Sequence, residues 1–476
     1  MFTRISTKNF KSWQDAGEVG LASVTGFFGS NSSGKTSLLQ TLLLLKQTVD
    51  SADRRQVLNL GGDERSPISL GLVRDVTHRG SFEAPMSFGF GWTPPERVEP
   101  PDPRDPDKTL FSADAIWFGT TLTARDRNGS DGSTGEVQLY VEQFEYSLGS
   151  THVQMTTSKA PRHRRDPEYK LEASVEGDTG YLTRFRGRGW ALPPPGKCYG
   201  FPDEVFAYYQ NAEFMGDIEL ELERQFRDRL FYLGPLRSYP ERQYTWQGSS
   251  PADVGRAGER AVEALLASRS MGRRNARKLD RRGRAVRLIT VEEHVAQWLQ
   301  QLQLIADFEV ERISAEADIY RVRVRRSDAE GWVHLTDVGF GVSQVLPVLV
   351  LLAYVDEGST VLLEQPEIHL HPAVQAGLAD IIIEASSARR VQVIVESHSE
   401  HLLKRLQRRV AERRIAPDQV ALYFCESSSG ASRIGELVIN EYGEIRNWPD
   451  DFFGDRFGET AAIVEAGLKQ RAASDL

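Results

Sequence analysis

The sequence contains little cysteine and no long hydrophobic run. Its two cysteines, Cys198 and Cys425, are too few for a disulfide framework, which predicts a reducing, cytoplasmic setting. The opening residues, MFTRISTKNF, lack the apolar core of a signal peptide. The longest apolar runs, LLQTLLLLKQ and VLPVLVLLAYV, are too short to cross a bilayer and predict buried helices instead. We therefore expect a cytoplasmic protein without a membrane partner.

An excess of positive charge is also absent. The 476 residues carry a formal net charge of -9, which excludes a generally cationic coat for nucleic acid. With 40% hydrophobic and 26% charged residues, the composition is that of an ordinary globular protein. No sustained heptad pattern is present in the sequence, so a long coiled coil is not expected. A chain of this length is long enough for about two or three folding units.

The strongest motif is a complete P-loop, GSNSSGKT, between an apolar strand pattern at 21–28 and a helix pattern. Its glycines let the backbone wrap around phosphate oxygens, and the helix start adds positive potential. Lys35 is suited to reach the β- and γ-phosphates of ATP, and the Thr36 hydroxyl is suited to bind Mg²⁺. The alternative is a Gly/Ser-rich turn that carries Lys-Thr by chance. The predicted nucleotide-binding residues of this loop are Gly29, Ser30, Asn31, Ser32, Ser33, Gly34, Lys35, Thr36 and Ser37.

A second glycine-rich helix start, DVGFGVSQVLPVL, begins at Asp337. Gly339 and Gly341 permit a tight turn, and we predict that Ser343 and Gln344 open the helix that follows. Such a helix start binds anions. Because the P-loop already serves its own nucleotide, this tip would serve a nucleotide held by another subunit. A plain cap before a core helix is the alternative.

Acidic residues and a histidine follow two later strand patterns. The stretch TVLLEQPEIHLHP ends a buried strand pattern at Glu364, and Gln365 and Glu367 come directly afterwards. The stretch VQVIVESHSEHLL places His398 after another strand, where a sensor of the γ-phosphate would be needed. A histidine at a strand end is also often structural. The HLH triplet near Glu364 could alternatively belong to a metal site.

In this order the motifs resemble those of ABC-type ATPases of the SMC/RecF class, and more narrowly those of OLD-like ATPases of bacterial genome defence. KNFKSW is similar to the opening strand, GSNSSGKT to Walker A and GFGVSQVLP to a degenerate signature. LLEQPEIHLHP is similar to Walker B with the D-loop, and ESHSEHLL to the switch-histidine segment. FYLGPLRSYPERQYTW and GEIRNWPDDFF resemble a subgroup whose C-terminal domain has no assigned function.

The resemblance implies an α/β fold of the P-loop NTPase type. It would be an ABC/SMC-like ATPase head with an inserted mixed α+β region and a small C-terminal extension. Pro-rich RVEPPDPRDPD and Gly/Ser-rich RDRNGSDGSTGE indicate where the insertion begins, and strand and helix patterns alternate again from 333 to 426. We predict an N-terminal lobe with Walker A at 1–96 and the inserted region at 97–330. A C-terminal lobe with the signature, Walker B and the switch histidine follows at 331–426, and the extension covers 427–476.

The resemblance also implies ATP and Mg²⁺ as cofactors and a role for each motif. Glu364 takes the place of the usual metal-side aspartate, beside Thr36. Ser343, with Gln344, contacts the γ-phosphate in trans, and His398 senses it. The resemblance also implies that Lys11 and Ser12 lie near the base or ribose. Gln56 would be the Q-loop glutamine, and His369 and His371 would belong to the loop that faces the second subunit.

Gln365 stands where such ATPases have the glutamate that polarises water. An amide can orient a water molecule but cannot accept its proton. Glu367 could replace that base if the turn at Pro366 swings it towards the γ-phosphate, and the alternative is that Glu367 caps the following helix. Phosphoryl transfer needs positioning and charge stabilisation more than a strong base, so Gln365 need not abolish turnover.

Basic segments suggest further partners. The range 269–287 carries nine Lys/Arg and one Asp, which is typical of a DNA or RNA backbone site but also of a solvated loop or a surface for an acidic partner. The range 404–414 has the spacing of a solvated helix face. Arg237 in GPLRSYP could reach the nucleotide site or a subunit contact.

These features predict an ATPase that binds ATP, hydrolyses it slowly and forms a dimer or higher oligomer around ATP. OLD nucleases append a Toprim domain, for which the residues after Phe424 are too few, so we expect a separate effector such as a nuclease. The resemblance places this role in anti-phage defence. The alternatives are a RecF-like ATPase that acts directly on DNA, a transporter subunit, and a scaffold that does not hydrolyse ATP.

Overall fold

Two large β-sheets and the helices packed on them form most of the chain. The structure is a computed structural model that describes residues 1–62, 66–126, 137–159, 167–279, 285–314, 317–449 and 466. The strands are β1 (Phe2–Phe10), β2 (Trp13–Gly20), β3 (Val24–Gly29), β4 (Met86–Trp92), β5 (Pro101–Asp102), β6 (Asp105–Thr109), β7 (Ile116–Asp126), β8 (Val137–Leu148), β9 (Thr151–Lys159), β10 (Glu168–Ser174), β11 (Thr183–Arg184), β12 (Tyr209–Gln210), β13 (Leu230–Leu233), β14 (Tyr244–Thr245), β15 (Arg274–Leu279), β16 (Ala285–Thr290), β17 (Asp307–Arg312), β18 (Ile319–Arg325), β19 (Val333–His334), β20 (Thr360–Glu364), β21 (Gln392–Glu396), β22 (Val420–Ser428) and β23 (Ala431–Glu436). The helices are α1 (Lys35–Asp50), α2 (Val73–Val76), α3 (Asp203–Tyr208), α4 (Phe214–Arg227), α5 (Ala261–Ser270), α6 (Val291–Gln301), α7 (Phe340–Tyr354), α8 (Pro372–Arg389) and α9 (Glu400–Ala411).

The six-stranded sheet carries the P-loop strand near its centre. Its order is β13-β20-β21-β3-β22-β23, and the strands from β13 to β22 run parallel while β23 is antiparallel to β22. The residues of β20 and β21 are all buried, as expected for parallel strands that are covered on both faces. Glu364 at the end of β20 pairs in register with Glu396 at the end of β21. The carboxyl ends of these strands therefore meet at one edge, where open α/β sheets bind ligands.

The seven-stranded sheet is antiparallel and has the order β10-β9-β8-β7-β4-β1-β2. Strand β8 coincides with the alternating stretch VQLYVEQFEYSL, and Phe144, Tyr146 and Leu148 on its inner face are buried. Alternation of this kind is typical of a strand with one face on the core. The turn between β1 and β2 brings KNFKSW to the P-loop.

The two apolar runs form buried helices, as the sequence predicts. LLQTLLLLKQ lies in α1 and VLPVLVLLAYV lies in α7, and their leucines are buried in the two hydrophobic cores. The amphipathic stretch VEEHVAQWLQQLQL begins as α6, where Thr290 and Glu293 form a capping box. Within the described ranges, no helix combines the length and the apolarity needed to cross a membrane.

Elements of the predicted inserted region, 97–330, join both large sheets. Strands β7 to β10 extend the sheet of β4 and β1, whereas β13 pairs with β20 in the sheet of the P-loop strand. Helices α5 and α6 pack on α7. In the range 427–476, β23 is the edge strand of the six-stranded sheet, and the residues from 450 onward, apart from 466, lie outside the described residues.

One local expectation is wrong. Helix α7 begins at Phe340, so Ser343 and Gln344 lie in its first turns and do not open it. The N-cap is Gly339, whose extended backbone (φ -56°, ψ 149°) ends the preceding turn and lets the helix start directly after it.

Candidate nucleotide-binding site

The P-loop joins β3 to α1 and needs glycine at two positions. Gly29 has φ +136° and Gly34 has φ +93°, a backbone region that favours glycine. A Cβ at Gly29 would collide with the Cys425 carbonyl, and a Cβ at Gly34 would collide with the Ser432 hydroxyl. The loop therefore lies tightly against β22 and β23, and its backbone can approach a ligand closely.

Lys35 is the buried cation of this loop. Its Nζ donates to the carbonyl oxygens of Gly29 (3.1 Å) and Ser30 (2.7 Å) and to Ser33 Oγ (3.4 Å). Burial lowers the pKa of Lys35, and the nearby Glu396 carboxylate opposes that shift. Helix α1 begins at Lys35 without a side-chain cap, so its first N–H groups are available to an anion. This donor set fits the phosphates of a nucleotide.

A cavity of about 390 Å³ opens at the P-loop. It brings Gln365, which directly follows β20, and His398, which follows β21, together with the loop, so residues far apart in the chain share one site. Among the described residues, its lining does not include Glu364, Glu367, Ser343 or Gln344. The lining residues are Lys11, Ser12, Asn31, Ser32, Ser33, Gly34, Lys35, Thr36, Ser37, Gln40, Gln365, Glu396 and His398.

The turn between β1 and β2 forms one wall of the cavity. Lys11 Nζ donates to Gln40 Oε1 on α1 at 2.6 Å, and Trp13 Nε1 donates to the Gly34 carbonyl at 3.0 Å. Burial lowers the pKa of Lys11, and the Glu364 carboxylate opposes this shift. Lys11 and Ser12 thus lie beside the P-loop, and their contact with a base or ribose stays a prediction.

Gln365 is held in an uncommon conformation. Its φ of +43° is rare for a residue other than glycine, and such strain is concentrated at functional sites. Its backbone N–H donates to the Glu396 carbonyl at 2.8 Å. Gln365 directly follows β20 and lines the cavity together with Glu396.

Glu396 is a site residue that the sequence patterns did not single out. It ends β21, is 3% exposed, and accepts a hydrogen bond from Thr36 Oγ1 at 3.0 Å. Burial raises the pKa of Glu396, and the Thr36 hydrogen bond and the Lys35 charge lower it. A signal was present, because Glu396 is the carboxylate at the end of a buried strand, immediately before the SHS triplet.

Glu364 lies one strand further from the P-loop. Its Oε1 accepts a hydrogen bond from the Tyr232 hydroxyl at 3.1 Å, and Arg237 Nη2 lies 3.5 Å from its carbonyl oxygen. Burial, followed by the charge of Glu396, raises the pKa of Glu364 to about 7. The described contact of Thr36 is with Glu396, so the metal-side role of Glu364 stays a prediction.

Glu367 is buried and holds the segment before α9. Its Oε1 accepts the backbone N–H of His398 at 2.7 Å, and burial raises its pKa. The helix that follows Glu367 in the chain, α8, is capped instead by His371, whose Nδ1 accepts from Ala373 N at 3.3 Å. Glu367 thus positions His398, and its predicted role as a base receives no support from the cavity lining.

His398 lines the cavity next to the P-loop. Burial lowers its pKa, the charge of Lys35 lowers it further, and a contact with the Gly29 carbonyl raises it. A neutral imidazole can donate one hydrogen bond to a phosphate oxygen. Its role as a γ-phosphate sensor stays a prediction.

Other predicted residues lie elsewhere. Gln56 contacts Ser51 and Asn59 in the loop after α1, so it is not part of the cavity lining. Within the described ranges, no three His, Cys, Asp or Glu side chains are grouped to hold a metal ion, so the HLH metal alternative gains no support.

The structure describes only part of the basic segment 269–287. Residues 280–284 of the predicted nucleic-acid segment lie outside the described residues. At its ends, Arg269 pairs with Glu292, Arg273 pairs with Asp356, and Arg287 pairs with Glu293.

Two family models match parts of the chain. Residues 24–99 and 254–404 match the family described as "AAA domain, putative AbiEii toxin, Type IV TA system". These ranges are therefore similar to an AAA domain. The predicted fold class, an α/β P-loop NTPase, is therefore confirmed. The match spans just under half of the chain. Residues 415–463 match a second family, described as "Protein of unknown function (DUF3696)".

The AAA domain and its surroundings also resemble solved structures of low identity. One is the "SmcHead bound to the C-winged helix domain of ScpA", with 10% identity, a TM-score of 0.44, and coverage of 92% of this chain and 98% of that one. Another is the "SMC head domain from Thermotoga maritima", with 11% identity, a TM-score of 0.39, and coverage of 92% and 98%. A third is an Smc head domain derived from Pyrococcus furiosus, with 10% identity, a TM-score of 0.45, and coverage of 92% and 96%. Likeness at these TM-scores supports no conclusion about this chain.

No curated protein matches the chain. The two matched ranges of the AAA domain contain the P-loop, Gln365, Glu396 and His398. Lys11 and Ser12 lie outside them, although both line the same cavity.

Proposed function

We propose that this protein binds ATP with Mg²⁺ and hydrolyses it slowly. The observation that supports this is the single cavity that joins the P-loop to Gln365, Glu396 and His398. Lys35 and the start of α1 supply positive charge for the β- and γ-phosphates. When bound, Mg²⁺ neutralises charge that develops on these phosphates during their transfer. Thr36, with Glu364 or Glu396, is suited to hold it.

The slow rate follows from the residue beside the attacking water. Gln365 can accept and donate hydrogen bonds, so it can orient water, but an amide does not take up a proton. The buried Glu367 carboxylate is engaged with the His398 N–H. Phosphoryl transfer then depends on positioning by Gln365 and on charge stabilisation by Lys35. Steady-state phosphate release by the purified protein tests this proposal, and a rate indistinguishable from buffer would favour a scaffold that does not hydrolyse ATP.

We further propose that two copies assemble around ATP. The segment that follows β13 carries two large exposed side chains, Leu236 (81% exposed) and Tyr239 (77% exposed). An ion pair of 2.7 Å between Arg242 and Asp337 ties this segment to the glycine-rich tip. Adjacent exposed apolar side chains beside a functional tip are typical of an interaction surface. This supports a second subunit whose P-loop faces the tip.

The dimer proposal predicts that Ser343→Arg blocks hydrolysis and spares ATP binding. Ser343 lies outside the cavity of its own P-loop, so a bulky cation there would disturb the nucleotide of the neighbouring subunit. We expect ATP affinity within about two-fold of wild type, because the P-loop contacts are unchanged. Filter binding and phosphate release measure the two effects.

A mixture of variants separates a role in trans from a role in cis. Lys35→Ala and Ser343→Arg are each expected to be inactive, but a mixed dimer has one site with both residues intact. At equal amounts, random pairing should restore about a quarter of the wild-type rate. A mixture that stays inactive would contradict the trans assignment, as would normal hydrolysis by Ser343→Arg alone.

The wider role we propose is a sensor and scaffold that controls a separate effector, such as a nuclease, in anti-phage defence. The AAA match is to a family whose description names a toxin–antitoxin system, and a slow ATP cycle suits a complex that waits for a trigger. Co-purification of the protein with the product of a neighbouring gene, and loss of phage resistance on deletion of either, would test this role.

Direct action on DNA is the second candidate. Arg269, Arg273 and Arg287, near the ends of 269–287, are paired with carboxylates, which leaves less charge for a phosphate backbone. Fluorescence anisotropy with duplex DNA distinguishes the two functions. Tight binding by the protein alone, with a steep dependence on salt, would favour the DNA-repair alternative.

A further inference from the structure

Glu396 is the carboxylate nearest to the P-loop threonine. The sheet order β20-β21-β3 places β21 directly beside the P-loop strand, with β20 one strand further away. In register, Glu396 pairs with Phe27 of β3 on one side and with Glu364 of β20 on the other. The end of β21 therefore lies beside the P-loop strand, and β21 separates Glu364 from that strand.

The hydrogen bonds of the two carboxylates also place Glu396, and not Glu364, against the P-loop threonine. Glu396 Oε1 accepts from Thr36 Oγ1 at 3.0 Å, whereas Glu364 Oε1 accepts from the Tyr232 hydroxyl at 3.1 Å. The described hydrogen bond of the P-loop threonine is therefore accepted by the carboxylate of β21.

One carboxylate oxygen of Glu396 is available to a ligand. Its Oε2 is buried and, among the described residues, has no partner that meets hydrogen-bond geometry. A buried carboxylate oxygen without a donor is costly unless a ligand or water completes it. Because Glu396 also lines the cavity, that completing group belongs to the nucleotide site.

We propose that Glu396, rather than Glu364, is the principal metal-side carboxylate of this site. It would act with Thr36, whose hydroxyl binds Mg²⁺ in P-loops. Glu364, which accepts a hydrogen bond from Tyr232, would be a positioning residue one strand away from the metal. This assignment rests on the proposed function, since it requires that the cavity holds Mg²⁺ and ATP.

The test measures Mg²⁺-dependent nucleotide binding without any hydrolysis. The affinity for a fluorescent, non-hydrolysable ATP analogue is measured with Mg²⁺ and with EDTA, and the ratio reports what the metal contributes. We expect Glu396→Gln to lower this ratio by about 10- to 100-fold, the usual effect of removing a group that supports a metal site. Its affinity in EDTA should stay close to that of wild type, because Lys35 and the loop are intact.

Matched variants decide the assignment. Glu364→Gln makes the same chemical change one strand away and should lower the ratio less than Glu396→Gln does. Glu426→Gln removes an exposed carboxylate of β22 and should leave the ratio unchanged. Glu396→Asp keeps a carboxylate and should retain more of the ratio than Glu396→Gln. It also serves as the test if the glutamine variant does not fold.

Each outcome has a distinct meaning. A larger loss in Glu364→Gln than in the Glu396 variants would overturn the assignment, and so would a ratio that neither Glu396 variant changes. Wild-type protein that does not bind the analogue with or without Mg²⁺ would instead refute the proposed function.

Discussion

Lys35→Ala is expected to abolish measurable ATP binding. Lys35 is the buried cation of the P-loop, and its ammonium donates to the carbonyl oxygens of Gly29 and Ser30. Loss of its charge-assisted hydrogen bonds should cost on the order of 3 kcal/mol or more, which is roughly 100-fold in affinity. Isothermal titration calorimetry of purified wild type and variant with Mg²⁺ and ATP measures this loss.

Lys46→Ala is the matched control for this experiment. Lys46 lies on the same helix, α1, but donates to the carbonyl oxygens of Phe226 and Arg227 away from the cavity. The control should bind ATP as wild type does, even if it unfolds at a lower temperature. ATP affinity that is equal in wild type and Lys35→Ala would show that the P-loop does not bind the nucleotide.

Gln365→Glu is expected to raise the steady-state hydrolysis rate by about 10- to 100-fold, near the lower end of what a general base contributes. The variant places a carboxylate in the cavity wall where the wild type has an amide. The neighbouring Glu396 should raise the pKa of the introduced carboxylate by charge repulsion. That shift favours catalysis, because a base works best when its pKa lies near the working pH. Phosphate release at saturating Mg²⁺ and ATP measures the rate.

Two further variants accompany this measurement. Gln301→Glu makes the same change on an exposed position of α6 and should leave the rate unchanged. Glu367→Gln should keep the rate within a few-fold of wild type, because Glu367 caps the His398 N–H and is not part of the cavity lining. If Glu367→Gln stops hydrolysis while Gln365→Glu has no effect, then Glu367 is the base and the slow-cycle proposal fails.

The cavity at the P-loop is built from two parts of the chain that are far apart in sequence. One wall, with Lys11 and the P-loop, belongs to the first 40 residues, while Gln365 and His398 come from the ends of β20 and β21. The cavity therefore combines the turn between β1 and β2 of the seven-stranded sheet with strand ends of the six-stranded sheet. The glycine-rich tip lies on α7, outside that cavity, and a second subunit is the partner that would bring a tip to each nucleotide.

Contiguous motifs could be predicted from the sequence because their geometry is local. The P-loop is set by glycines at Gly29 and Gly34, by the apolar strand before it and by the helix after it, and all of these lie within one short stretch. The strand alternation of β8 and the buried helices α1 and α7 also follow from local periodicity. For these elements the neighbours in sequence are the neighbours in space.

The start of α7 and the division of the range 97–330 between the two sheets were harder to predict. The helix start at Phe340 depends on the backbone angles of Gly339, for which the residue type alone permits several conformations. The division of 97–330 between two sheets depends on β13 pairing with β20, whose residues are far away in the sequence. Long-range pairing of this kind leaves no local pattern.

By itself, the sequence determined a P-loop NTPase with a glutamine where a catalytic glutamate is usual, because these features are contiguous and chemically specific. Only the tertiary structure decided which carboxylate meets Thr36. Strand β21 inserts between β20 and β3, so Glu396 takes the place beside the P-loop and Glu364 turns to Tyr232. The order of strands in a parallel sheet is set by the packing of its helices and the crossover connections between them, which no single segment encodes.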